Sequence, residues 1–178
     1  YGARNYNNNP DRQKDYFSLQ SADSRAMLQR ERHGTLFMDN QRNMDMYLRS
    51  MWEDKSYFVP YSLGFDELRK PVPYYDNLGI RIPDVYDDLN GVSGLDRYRV
   101  TIAHIAAHRR WSDRLVADNF SPFQRIAIEH LEDSRVEYLM LKEYPGLRKY
   151  LLALHPAPIE GDCDTEKESC IRHRLAML

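Results

Sequence analysis

Cysteine is almost missing from this 178-residue chain, which has only Cys163 and Cys170. Two cysteines cannot make the disulfide framework of a small stapled scaffold. Their spacing is too wide for a redox dithiol motif, and a zinc pair would need partners such as His155 or His173. The expectation is two free thiols in a reducing cytoplasm. Long hydrophobic runs are missing too. Nothing approaches the roughly 18–20 apolar residues of a membrane span, and no signal-peptide pattern opens the chain, so no membrane insertion is expected. Charge of one sign is not in excess: 25 Lys and Arg face 27 Asp and Glu. That excludes the basic surface of a nucleic-acid binder and leaves no reason to expect an anionic-membrane partner. There is no internal repeat.

What is present reads as globular: 42% hydrophobic and 29% charged residues, in a length that can bury a core without staples. Residues 1–11 are polar and Asn-rich, and residues 1–19 are read as a flexible tail or linker end. Residues 20–178 are read as a single helical domain. The chain begins at Tyr1 and ends on RHRLAML in mid-pattern, so a piece of a longer protein is expected. Residues 15–32 make a weakly amphipathic helix around Phe17, Ala26 and Leu28, which Gly34 breaks. Residues 36–52 make a stronger one, because Phe37, Met44, Tyr47, Leu48, Met51 and Trp52 recur at helical spacing.

Between residues 57 and 94 the pattern changes. Pro60, Pro71, Pro73 and Pro83, with Gly64, Gly79, Gly91 and Gly94, forbid a long helix. The segment GIRIP at 79–83 alternates like one short strand, with nothing obvious to pair with. The remainder is expected to pack as a Pro/Tyr-rich ordered wrap. The fold class expected is all-α: an irregular bundle of five or six helices, with at most one short β pairing, built on a long antiparallel helical hairpin.

That hairpin dominates the chain. Its first arm, residues 95–112 (LDRYRVTIAHIAAHRRWS), places His104 and His108 at i and i+4 on one face. Its second arm, residues 121–144 (SPFQRIAIEHLEDSRVEYLMLKEY), repeats that spacing with Glu129, Asp133 and Glu137. Ser121, Pro122 and Gln124 form a good helix start. Phe123, Ala127, Ser134 and Leu141 are expected to centre the buried stripe of this arm, with Asp133 and Glu137 on its flank. At 1.5 Å per residue, His104 and Glu129 each lie roughly 12 Å from the turn, so the ridges can meet. A further short helix is expected over 145–154, and a final one over 169–178.

Two readings of that meeting stand. In the one adopted, His104, His108, Glu129, Asp133, Arg135 and Glu137 form a structural polar network that fixes helix register. In the alternative, the imidazoles and a carboxylate bind zinc or another divalent metal. A hydrolytic zinc helix carries a general-base Glu directly after its first His, and here that position is Ile105. A metallohydrolase is therefore not expected, and no residue is assigned as catalytic or cofactor-binding. A di-iron carboxylate site is disfavoured, since its repeated Glu-x-x-His pattern is absent. Arg109 and Arg110 read as a solvated face.

Several segments occur together in one order: FMDNQRNMDMYLRSMW at 37–52, GIRIPDVYDD at 79–88, SGLDRYR at 93–99 and AHIAAH at 103–108. After them come ED-S-R-VE at 132–137, YPGLR at 144–148, LHP at 154–156 and SCIRHRLAML at 169–178. Over about residues 20–178 the chain resembles the NorD/CbbO family, the nitric oxide reductase activation protein and the Rubisco activase CbbO subunit. In that family this region precedes a von Willebrand factor A domain, whose Asp-x-Ser-x-Ser motif is absent here. The resemblance implies a non-catalytic adaptor for a MoxR-type AAA+ ATPase ring (NorQ or CbbQ), acting on nitric oxide reductase or Rubisco. It names no catalytic residue within this segment.

Overall fold

The computed structural model describes residues 9–18, 21, 24, 34–61, 72–113, 115–116, 118–155, 157–163 and 170–177. The chain divides into two compact units, Tyr1–Gly34 and Thr35–Leu178. In the smaller unit, helix α1 (Pro10–Phe17) begins inside the stretch read as a tail. Asn9 caps it by accepting from the Arg12 amide, and Pro10 occupies a first-turn position where no amide donor is needed. Most of the helix expected over 15–32 lies outside the described residues, as do residues 1–8.

The larger unit opens with a two-residue strand, β1 (Thr35–Leu36), and runs directly into α2 (Phe37–Trp52). The spacing read from the sequence holds for Phe37, Met44, Leu48 and Trp52, which are buried, whereas Met51 is exposed. Glu53 ends the helix in the left-handed region and returns its amide to the Arg49 carbonyl.

The next segment overturns the all-α expectation. Strands β2 (Phe58–Tyr61), β3 (Tyr74–Asp76) and β4 (Gly79–Pro83) form a sheet in the order β2-β4-β3. β2 runs parallel to β4 with Phe58 opposite Ile80, and β3 runs antiparallel to β4 with Asp76 opposite Gly79. A second sheet pairs β1 with β5 (Val85–Tyr86). The unit is therefore a mixed α/β fold rather than a helical bundle with a wrap. Proline excludes helix but not an edge strand, and Pro60 lies in β2, at the sheet edge. The aromatic and β-branched residues around it favour a pleated surface. Asp76 closes the β3–β4 turn by accepting from the Leu78 and Gly79 amides, and its other oxygen takes the Arg81 guanidinium at 2.9 Å.

Helix α3 (Gly94–Trp111) follows a turn in which Asn90 and Gly91 both take positive φ. Ser93 caps it by accepting from the Asp96 amide. Helix α4 (Pro122–Glu143) starts at the expected capping box of Ser121 and Gln124. After it come a 3₁₀ turn (Pro145–Leu147), α5 (Arg148–Leu154) and α6 (Ile171–Ala176). Six α-helices thus occur among the described residues.

α3 is the central element. Tyr98, Val100, Ile102, Ala103, Ile105, Ala106 and Ala107 are buried, and the core also takes in α2, Ile80 and Ile82 of β4, Val136 and Met140 of α4, and Leu151 of α5. Tyr98 ties helix to sheet by donating to the Pro83 carbonyl at 3.1 Å. His104 and His108 lie on a strip of α3 that stays half-buried.

The cysteines also depart from expectation. Cys163 and Cys170 are joined as a disulfide, their Cα atoms 5.9 Å apart, a separation within the range that such a bond spans. Among the described residues no helix is long and apolar enough to cross a membrane.

Candidate functional site

The two arms of the hairpin pack antiparallel, and their register decides which side chains meet. Ser112 faces Glu132, His108 faces Asp133, and His104 faces Glu137. The buried side of α4 is the one carrying Val136 and Met140. Of the stripe predicted through Phe123, Ala127, Ser134 and Leu141, Phe123 and Ser134 face solvent, whereas Ala127 is half-buried and Leu141 packs against the core. In this register Asp133 and Glu137 meet the histidines, and Glu129 lies one turn nearer the connection. Its carboxylate takes Arg172 of α6 at 2.8 Å. Arg135 does not join the histidines either; it binds both oxygens of Glu132 and donates to the Trp111 carbonyl at 2.6 Å. Of the six residues expected to form one network, His104, His108, Asp133 and Glu137 come together.

Their geometry is compact. His108 Nε2 lies 3.1 Å from Asp133 Oδ1 and 3.1 Å from His104 Nε2. His104 Nε2 is 3.7 Å from the same Asp133 oxygen, and its Nδ1 is 3.3 Å from Glu137 Oε1. The side chains of His104, His108 and Asp133 are 28%, 21% and 41% exposed, so the cluster opens to water at the edge of the core. His104, His108 and Asp133 could together hold a metal ion, each offering one ligand atom. Burial raises the Asp133 carboxyl, but the hydrogen bond with His108 and the charges of His104, His108 and Arg172 outweigh it. The net effect holds the group below the ordinary aspartate range.

Three participants lie outside the expected network. Ser112 Oγ sits 3.0 Å from His108 Nδ1 and donates to Glu132 Oε1 at 2.5 Å. The guanidinium of Arg135 holds the Glu132 carboxyl down at about 2, against the opposing effect of burial, with help from the Ser112 hydrogen bond. The signal for Ser112 was available: it continues the i, i+4 series of His104 and His108 by one further step. His155 also approaches, its Nε2 at 3.8 Å from Glu137 Oε1.

The basic pair beyond the histidines is paired rather than merely solvated. Arg109 binds Asp54 at 2.6 Å, and Arg110 binds Glu143 at 2.9 Å. A surface concavity of about 530 Å³ lies beside them, lined by Trp52, Asp54, Lys55 and Ala106 among others, and does not include the histidines. Ile105 is buried in the core, so no carboxylate follows His104 on α3. No family model matches the chain, and comparisons with curated proteins and with solved structures find no match.

Proposed function

We propose that this chain is a non-catalytic adaptor segment of an activation protein that works with a MoxR-type AAA+ ATPase on a target enzyme, nitric oxide reductase or Rubisco. The ordered run of motifs from residue 37 to residue 178 supports the reading through its resemblance to the NorD/CbbO family. The observation that carries the non-catalytic part is Ile105. It stands where a hydrolytic zinc helix needs a general base, and its side chain is 5% exposed within the core. A buried aliphatic group cannot accept a proton from water. A cytoplasmic setting belongs to the same reading, and there the Cys163–Cys170 bond would be open to reduction.

The test is to add the purified chain to a MoxR-type ATPase encoded beside it and to follow ATP turnover and co-elution. The expected result is a stable complex with altered ATP turnover, and no peptide hydrolysis by the chain alone with or without added zinc. Metal-dependent peptide hydrolysis without ATPase binding would overturn the reading.

A further inference from the structure

We propose that His104, His108 and Asp133 form a site for one divalent transition-metal ion of the zinc class, which clamps α3 to α4 and keeps a fourth coordination position open to solvent. The argument begins with where the protons are. Both oxygens of Glu132 receive the Arg135 guanidinium, at 2.7 and 2.6 Å, the fork geometry of a carboxylate that accepts. The single proton of Ser112 Oγ goes to it, at 2.5 Å. Toward His108 the hydroxyl therefore has only lone pairs to offer, so His108 Nδ1, 3.0 Å away, must carry its hydrogen and donate. With that hydrogen on Nδ1, a ring that carries a single proton turns the lone pair of Nε2 toward Asp133 and His104.

His104 repeats the arrangement. Its Nδ1 faces the Glu137 carboxylate at 3.3 Å, a neighbour that favours the tautomer with its hydrogen on Nδ1 and the lone pair on Nε2. Ring nitrogens held from behind by a carboxylate, or by a hydroxyl backed by one, are the outer contacts that orient metal-binding histidines.

Three lone-pair atoms therefore converge: His104 Nε2, His108 Nε2 and Asp133 Oδ1. A positive charge between them holds them together: a proton in the ion-free chain, where it makes the hydrogen bond of His108 with Asp133, or a metal ion in its place. Their separations of 3.1, 3.1 and 3.7 Å decide what fits. Ligands about 2.05 Å from a tetrahedral zinc ion lie about 3.3 Å from one another, close to the mean of these edges. An ion about 2.05 Å from all three atoms would lie about 0.7 Å out of their plane, the displacement of a tetrahedral centre with one corner unfilled. Two imidazoles and one carboxylate suit zinc and its first-row neighbours, and not calcium or magnesium, which prefer oxygen ligands. Because Ile105 supplies no base, a water at the fourth corner would lack a proton acceptor from α3.

The test strips the full chain with a chelator, dialyses it, and titrates it with Co²⁺ and then Zn²⁺. The expected result is one equivalent bound, with the intense visible absorption of four-coordinate cobalt, bleached as zinc displaces it. Glu137→Gln, which lies behind His104 and near His155 and offers no atom to the ion, should weaken binding on the order of 10–100-fold. Asp133→Asn and His108→Gln should weaken it more, and Glu129→Gln should leave it unchanged. Asp133→Asn keeps the side chain's size, so it remains readable if the histidine variant does not fold. No stoichiometric binding, a weak six-coordinate cobalt spectrum, or binding that survives the His104→Ala/Asp133→Asn double variant would each overturn the site. None of these readouts involves the ATPase, so the site stands or falls independently of the adaptor reading.

Discussion

The Glu129 carboxylate accepts from Arg172 at 2.8 Å, which ties the last described helix, α6, to the outer part of α4. Both side chains are well exposed, at 61% and 58%. Exposed pairs of this kind contribute about 0–1 kcal/mol, because water and salt screen them. Glu129→Gln should therefore shift the urea midpoint only slightly and leave the slope unchanged. A loss above about 2 kcal/mol would mean that this contact is far stronger than its exposure allows.

A much larger effect is expected where the sheet leaves no space. A Cβ on Gly79 would lie 2.2 Å from the Tyr57 carbonyl oxygen, and the residue holds φ at +136°, which L side chains rarely adopt. The Tyr57 carbonyl also accepts the Ile80 amide, so it cannot move without breaking the β2–β4 ladder. Gly79→Ala should cost roughly 2–4 kcal/mol, combining backbone strain with the clash. Gly146→Ala has nothing within 4 Å of the new methyl and serves as the matched control. Denaturant melts of the two variants check this, and equal stabilities would contradict the packing at Gly79.

What was legible before the structure follows the range of each signal. Helix α2 and the hairpin arms declare themselves locally, through the spacing of Phe37, Met44 and Leu48 and through the Ser121–Gln124 capping box. β4 was visible as GIRIP, but its partners were not. Pairing Phe58 with Ile80 is a long-range event that neither segment encodes alone, and Pro60 disguises β2. The site divides in the same way. The i, i+4 spacing pointed to His104, His108, Glu129, Asp133 and Glu137, of which the structure brings all but Glu129 together. Which carboxylate meets which histidine depends on hairpin register, and that is set by the connection between Trp111 and Pro122, where no local pattern specifies a length. Glu129 matches His104 in height above the connection, yet the register puts Asp133 and Glu137 against the histidines and leaves Glu129 to Arg172. Helical spacing with Ala127 and Leu141 put Phe123 on the buried stripe, but it falls in the exposed first turn of α4.

Acid should act first through the carboxylates that close the hairpin. Glu132 is held at about 2 in the folded chain, against an ordinary value of 4.5. Above about pH 4.5 the group is ionised in both folded and unfolded chains, and its contribution to stability is complete. Between about 4.5 and 2 the unfolded chain binds the proton first, so stability falls as pH falls through this window. Asp133, also depressed, adds to the loss in the same direction. Urea melts at pH 7 and pH 3 should show a smaller difference for Glu132→Gln than for the unmodified chain. Screening at this partly exposed position keeps the change modest. An undiminished difference would show that Glu132 is not held by Arg135 and Ser112 in solution.

The contact between His108 and Asp133 should appear as a coupling energy, with or without a metal. The two atoms lie 3.1 Å apart on different helices, so each variant removes the same interaction from opposite sides. Unfolding of His108→Gln, Asp133→Asn and the double variant, measured in chelator, should give a double-variant loss smaller than the sum of the singles. A half-exposed pair is expected to couple by about 0.5–1 kcal/mol, near the lower end for touching residues. Saturating zinc should enlarge that difference, because a bound ion stabilises only the folded chain that retains both ligands. Strictly additive losses in chelator would show that the hairpin register differs from the one described. Coupling in chelator with no enlargement by zinc would leave the register intact and assign the positive charge between the two side chains to a proton alone.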